Sequence, residues 1–152
     1  MHPVKFKLFL LTRLPSAFFA GIRIKEADDE RCVATVPYKW FTRNPFRSTY
    51  FACLSMAAEM STGVLALTYI LNNKLSVSLL VVRLEANYFK KAVGRTYFSC
   101  TDGPLIKKAI DEAVATGEGT TVRACSIGTN EAGEAVAEFF ITWSFKQRNT
   151  KH

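Results

Sequence analysis

The chain has 152 residues, 49% of them hydrophobic and 22% charged, with no internal repeat and no low-complexity run. This is the composition of one globular domain over 1–152, long enough to bury its own core. A net charge of +7 favours an anionic partner, but the basic residues are scattered and match no nucleic-acid-binding motif, so no nucleic-acid partner is expected.

Histidine and cysteine narrow the chemistry further. His2 and His152 are the only histidines. Ser-His-Asp and Cys-His catalysis, His-ligated zinc and an Asp-His dyad each need a histidine inside the fold. The chemistry must therefore run on carboxylates, hydroxyls, amides and backbone, with no metal. Cys32, Cys53, Cys100 and Cys125 form no Cys-x-x-Cys pair. They read as free thiols packed as small hydrophobes in a reducing, cytoplasmic setting.

Along the chain, Lys5 and Lys7 precede a short apolar run that Arg13 and Pro15 interrupt before it reaches the length of a secretory signal core. The spacing predicts an amphipathic helix over about 3–14, with Phe6, Phe9, Leu10 and Leu14 on one face. That helix either packs on the domain's own sheet or makes peripheral membrane contact. Ile22 and Ile24, then Val33 and Val36, predict a hairpin around a polar turn at 26–31. Tyr38, Trp40, Phe41 and Phe46, interleaved with Lys39 and Arg43, look superficially like a stacking platform for bases, but are expected to pack at the helix entry or to line a pocket. Asn44-Pro45 reads as a helix start, because asparagine accepts from orphan amides and proline suits the first turn. A central helix is thus expected over about 45–71.

Residues 50–71 are apolar or small on every side and carry one charge, Glu59. A helix of this kind is either wrapped by protein or lies in a bilayer, and its length suffices for a single span. The abundant small polar residues and the β-rich remainder speak against the bilayer. A carboxylate in such surroundings costs several kcal/mol unless paired, hydrogen-bonded or kept neutral. The same conditions make catalytic acids and bases. The structural alternative is a carboxylate tied to backbone amides or to an arginine such as Arg47 or Arg83.

In 75–91, Leu80, Val82, Leu84, Ala86 and Tyr88 alternate with Arg83, Glu85 and Asn87, predicting a long strand. Gly94 separates it from a strand over 95–101, expected to pair with it antiparallel. Leu105, Ile106, Ala109, Ile110 and Ala113 predict a short helix between Pro104 and Gly117. Strands over 120–129 and 135–146 form a closing hairpin, the second with Ala135, Ala137, Phe139, Ile141, Trp143 and Phe145 on one face. The class is α+β: a curved antiparallel sheet of about six strands wrapped around the long helix.

This arrangement resembles the hotdog fold. The run Asn44-Pro45-Phe46-Arg47-Ser48-Thr49-Tyr50-Phe51-Ala52, followed by Glu59, resembles the corresponding stretch of hotdog acyl-CoA thioesterases. Residues 15–147 look most like the thioesterase-like bacterial branch known as DUF4442, a domain of unknown function. In the thioesterases an asparagine stands six residues before a His-Gly-Gly turn, and an Asp or Glu nine after that histidine. Asn44, Tyr50 and Glu59 keep this spacing. The resemblance implies that Glu59 activates water or attacks the thioester carbonyl and that Asn44 positions water or substrate. It also implies that the amides of Phe51 and Ala52 stabilise the oxyanion. Glu59 and the amides would come from different subunits of a homodimer, alone or within a tetramer. Tyr50 stands in the histidine's place and Phe51-Ala52 in that of Gly-Gly, which puts side chains where a carbonyl would approach the backbone. Thr62, close to Glu59 on the helix, either orients water or bonds its own helix backbone. Lys90, Lys91 and Arg95 either hold the phosphates of coenzyme A or are solvated turn charges. Coenzyme A enters as part of the substrate, and no other cofactor is implied. Two functions stay open: an acyl-CoA (acyl thioester) hydrolase, and a non-catalytic binder of acyl-CoA, fatty acid or other lipid.

Overall fold

In the computed structural model residues 3–148 are described, so His2 and His152 lie outside the described residues. The elements run α1 (Pro3–Arg13), α2 (Pro15–Ala20), β1 (Arg23–Ala27), β2 (Cys32–Val36), a 3-10 turn (Trp40–Thr42), α3 (Phe51–Asn72), β3 (Val77–Tyr88), β4 (Thr96–Cys100), α4 (Gly103–Thr116), β5 (Thr120–Thr129) and β6 (Ala135–Gln147). The strands form one sheet in the order β1-β2-β4-β5-β6-β3, every neighbouring pair antiparallel. α3 packs against β2, β4, β5 and β6, with α4 beside it. Although α3 is long and apolar enough to cross a bilayer, 56% of its most apolar window is buried inside the protein.

The period of two in β6 dictates the core. Ala137, Phe139, Ile141, Trp143 and Phe145 are buried. The rings of Phe98 and Phe139 meet edge to face at 5.5 Å. Two buried hydrogen bonds tie α3 to the sheet: Ser61 Oγ to Ser126 Oγ at 2.7 Å, and Trp143 Nε1, donating, to Thr62 Oγ1 at 2.9 Å. The thiols are free, and burial pushes those of Cys32 and Cys100 up to about 12, so they are protonated and inert at neutral pH.

Three expectations need correction. The central helix starts at Phe51, not near residue 45. Asn44-Pro45 makes a loop instead, because Asn44 Oδ1 accepts the amides of Phe46 and Ser48 at 3.0 and 3.2 Å, while Arg47 turns the chain with φ 59°. An asparagine that satisfies a turn has nothing left for a helix start. Secondly, β3 pairs with β6 and not with β4. The 12-residue β3 finds a full-length partner in the 13-residue β6, paired from Val77 opposite Gln147 to Tyr88 opposite Ala137 with one register shift between Val81 and Arg83. The 5-residue β4 lies between β2 and β5. Thirdly, Pro15, expected to break the chain, instead opens α2 over Pro15–Ala20, and Gly21 ends it at φ 79°.

The two sheet edges differ. β1 is short, carries exposed Arg23, Lys25 and Glu26, and shifts register between Ile24 and Glu26. Such charges and bulges blunt an edge against further pairing. β3 also shifts register, between Val81 and Arg83, and carries Arg83 and Glu85, but it is more than twice as long and leaves Leu80, Val82 and Leu84 exposed. It is the open edge.

Candidate active site

Glu59 sits on the one face of α3 that the sheet leaves partly open. Ala52, Ser55, Met56, Glu59, Gly63 and Leu67 are all half-buried and recur at helical spacing, so they form a stripe down the helix. The expectation of a helix buried on every side fails along this stripe. Beside it lies a pocket of about 240 Å³, lined by Glu59, Met60, Gly63, Leu67, Leu79 and Trp143, with Phe6 and Phe9 of α1 among its other walls. Burial pushes the Glu59 carboxyl above the ordinary glutamate range. Among the described residues no salt bridge includes Glu59, and Arg83, one expected partner, pairs with Glu85 at 3.3 Å. The ion-pair alternative therefore has no support. A desolvated carboxylate without a cation accepts protons readily.

Gly63, one turn after Glu59, is the residue that sequence reading missed. A Cβ there would lie 3.2 Å from Glu59 Oε1 and 3.1 Å from Trp143 Cζ2. Glycine in a helix interior costs about 1 kcal/mol relative to alanine. Here it leaves the room in which carboxylate and indole meet. Thr62 is fully buried, with its hydroxyl donating to the Glu59 carbonyl at 3.0 Å and accepting from Trp143. Of the two roles open to it, backbone bonding is the one observed. Thr62 does not line the pocket; it holds Trp143, which does.

The remaining expected residues gather elsewhere. A second pocket, about 740 Å³, is lined by Asn44, Tyr50, Phe51, Lys90 and Lys91, together with Arg43, Phe46, Tyr88 and Phe89. Ala52 and Arg95 are not among its walls. The Asn44 carbonyl is occupied by the loop and its Nδ2 donates to Ser48 Oγ at 3.1 Å, which leaves one N–H free. Lys90 pairs with Glu134 at 2.8 Å and Lys91 donates to the Phe46 carbonyl at 3.2 Å. Tyr50 precedes α3 in an extended conformation and makes no side-chain cap. The amides of Phe51 and Ala52 have no protein acceptor among the described residues, as at any uncapped helix start. Eight residues of helix put Phe51 and Glu59 about 12 Å apart along α3. The carboxylate and the amides of one protomer cannot serve the same carbonyl.

Residues 4–145 match the family described as a domain of unknown function, DUF4442. The chain belongs to this family. The match includes α1, which lies ahead of the stretch whose resemblance the sequence carried. A comparison with curated proteins gives no match. Among solved structures, a protein of unknown function from Chlorobaculum tepidum superposes with TM-score 0.82 at 17% identity, over 96% of this chain and 94% of that one. A Pseudomonas aeruginosa protein of unknown function, described as a probable thioesterase, gives 0.78 at 19%, over 97% of both chains. A Haemophilus influenzae thioesterase gives 0.68 at 13%, over 100% of this chain and 95% of that one. At these identities the likeness shows the fold, and the fold is the thioesterase-like hotdog.

In this DUF4442 chain the Glu59 pocket makes a direct demand on Gly63. Gly63→Leu fills the space beside Glu59 Oε1 and the Trp143 ring. Activity or ligand binding at this pocket is expected to fall by about 5- to 150-fold, since overpacking a fitted site costs about 1–3 kcal/mol. Titration of wild type and variant with the same acyl ligand, with circular dichroism to monitor folding, checks this. Equal affinity would mean that the pocket is not used.

Proposed function

We propose that the protein hydrolyses acyl thioesters of coenzyme A at a site built from two subunits. The observation that carries this reading is the unpaired, desolvated Glu59 carboxylate at the wall of an apolar pocket on the open stripe of α3. In its ionised form Glu59 takes a proton from water as the oxygen attacks the thioester carbonyl. The oxyanion accepts hydrogen bonds from the free amides at the start of α3, where the helix dipole also favours negative charge. Collapse expels the coenzyme A thiolate, which takes up the proton, and leaves the carboxylic acid. The balance is one water consumed per thioester cleaved.

The separation along α3 accounts for the second subunit. If two α3 helices lie antiparallel about a twofold axis near Ser55, Phe51 of one faces Glu59 of the other, because the two positions are equidistant from that residue. The open β3 edge also supports a second subunit, since a long unpaired strand with Leu80, Val82 and Leu84 exposed is a template for another. Arg43 and Lys91, with Lys90 behind its Glu134 pair, bring positive charge to the larger pocket, in reach of the phosphates of coenzyme A. Arg95, outside that pocket, is not part of this proposal.

One observation favours a binder over a hydrolase. The Tyr50 and Phe51 rings meet at 4.9 Å at the start of α3, in the place where the thioesterases have histidine and glycine. The test is release of coenzyme A from a panel of acyl-CoA thioesters, acetyl to palmitoyl and aryl forms included. Turnover supports the hydrolase. No release on any member, with saturable binding of an acyl-CoA or fatty acid, replaces it with the binder.

A further inference from the structure

α1 and α2 carry apolar side chains on both sides. Inward, Phe6, Phe9 and Leu14 line the Glu59 pocket. Outward, Leu8 is 61% and Leu11 44% exposed on α1, and Phe19 is 54% exposed on α2. The outward patch continues onto the 3-10 turn: the Phe19 and Phe41 rings are 6.4 Å apart, and the next residue, Trp40, is 77% exposed. Scattered exposed leucines need no explanation, but a run of large apolar side chains over three adjoining elements does.

The charges around this patch have one sign. Lys7, Arg13, Lys39 and Arg43 are exposed on the same elements or next to them. No Asp or Glu occurs before Glu26, and none between Glu30 and Glu59. The carboxylates next in sequence belong to the β1–β2 turn, where Glu26, Asp28 and Asp29 are engaged and Glu30 is exposed with no salt bridge among the described residues. Glu26 pairs with Arg31 at 3.6 Å and Asp29 with Lys107 at 3.7 Å, while Asp28 Oδ1 accepts the amides of Glu30 and Arg31. Apolar side chains with an indole at the outermost point, bordered by cations alone, match the layering of a bilayer surface, where headgroup charge lies outside and acyl chains beneath.

We propose that the outer face of α1, α2 and the 3-10 turn docks on an anionic phospholipid bilayer. Leu8, Leu11, Phe19 and Trp40 enter the headgroup boundary while Lys7, Arg13 and Lys39 meet the phosphates. Docked in this way, the protein has the wall of its apolar pocket lying between Glu59 and the lipid. This inference does not depend on the hydrolase reading.

The full-length protein is mixed with phosphatidylglycerol vesicles or phosphatidylcholine vesicles and sedimented, and its tryptophan emission is recorded. The chain has two tryptophans and Trp143 is buried, so a blue shift reports Trp40. The expected result is a blue shift and co-sedimentation with phosphatidylglycerol at least about tenfold stronger than with phosphatidylcholine, weakened by salt. Leu8→Glu with Leu11→Glu abolishes both signals, and Lys7→Glu with Arg13→Glu removes the lipid preference, each leaving circular dichroism unchanged. No binding to phosphatidylglycerol overturns the proposal, as does equal binding to the two lipids. A drop in oligomeric mass for the leucine variant without vesicles also overturns it, by giving the face to a second copy of the chain.

Discussion

Glu59→Gln is expected to lower acyl-CoA hydrolysis by about 10²–10⁴-fold, the usual contribution of a general base, and to leave the fold intact. The variant keeps the shape of the side chain and removes only its ability to take a proton. The same substitution should raise stability at neutral pH. Burial raises the Glu59 pKa in the folded state, so the folded protein favours the neutral carboxyl. Wild type and variant are then equally stable below the unfolded-state value near 4.5. As pH rises from there through the raised folded value, wild type loses stability that the glutamine variant keeps, and the gap is constant above it. Urea denaturation of both proteins from acid to mildly alkaline pH measures this gap. Hydrolysis by wild type should show an acid limb displaced upward from the ordinary glutamate range. An unchanged rate in the variant would remove Glu59 from the mechanism, and a stability gap of the opposite sign would mean that the carboxylate has a partner in the assembled protein.

The second large effect concerns the β3 edge. Val82→Lys combined with Leu84→Lys is expected to convert a dimer to monomer and to abolish hydrolysis with it. Both side chains are exposed in the protomer, so the substitution costs the fold little. In a twofold-symmetric strand pair each lysine is doubled across the axis, and like charges set against each other cost several kcal/mol, enough to weaken association by at least about 10²-fold. Light scattering gives the mass, and coenzyme A release gives the activity. A dimer that persists places the interface elsewhere. A monomer that still turns over would show that one protomer holds a complete site, against the 12 Å or so separating Phe51 and Glu59 along α3.

Much of the fold was legible where a period ran long enough. The alternation in β6 and the unbroken apolar run of α3 fixed two central elements, and Glu59 stood out as the one charge in that run. What escaped depended on distance along the chain. The hairpin expected from residues 75–101 followed proximity, whereas β3 matched β6 in length across some fifty residues of intervening sequence. Asn44-Pro45 carries signals for a helix start and for an asparagine turn alike, and only the Ser48 amide, four residues on, decides between them. Gly63 acquires its meaning from Trp143 Cζ2, an atom that no local window contains. The spacing of Asn44, Tyr50 and Glu59 was visible, but their division between two pockets needed the helix rise.

The hydrogen bonds of Ser61 and Thr62 have a consequence for how well defined the native state is. α3 is so evenly apolar that burial alone scarcely distinguishes one rotation about its axis from another, which leaves many near-degenerate packings of helix in sheet. Two neighbouring hydroxyls, one reaching β5 and the other β6, break that degeneracy, since any other rotation would strand Ser126 or the Trp143 indole without a partner in the core. They act as a key in its slot. The orientation of the single carboxylate toward its pocket is thus chosen by two hydroxyls, Ser61 on the far side of the helix and Thr62 one turn from Glu59, not by the greasy surface that supplies most of the folding energy.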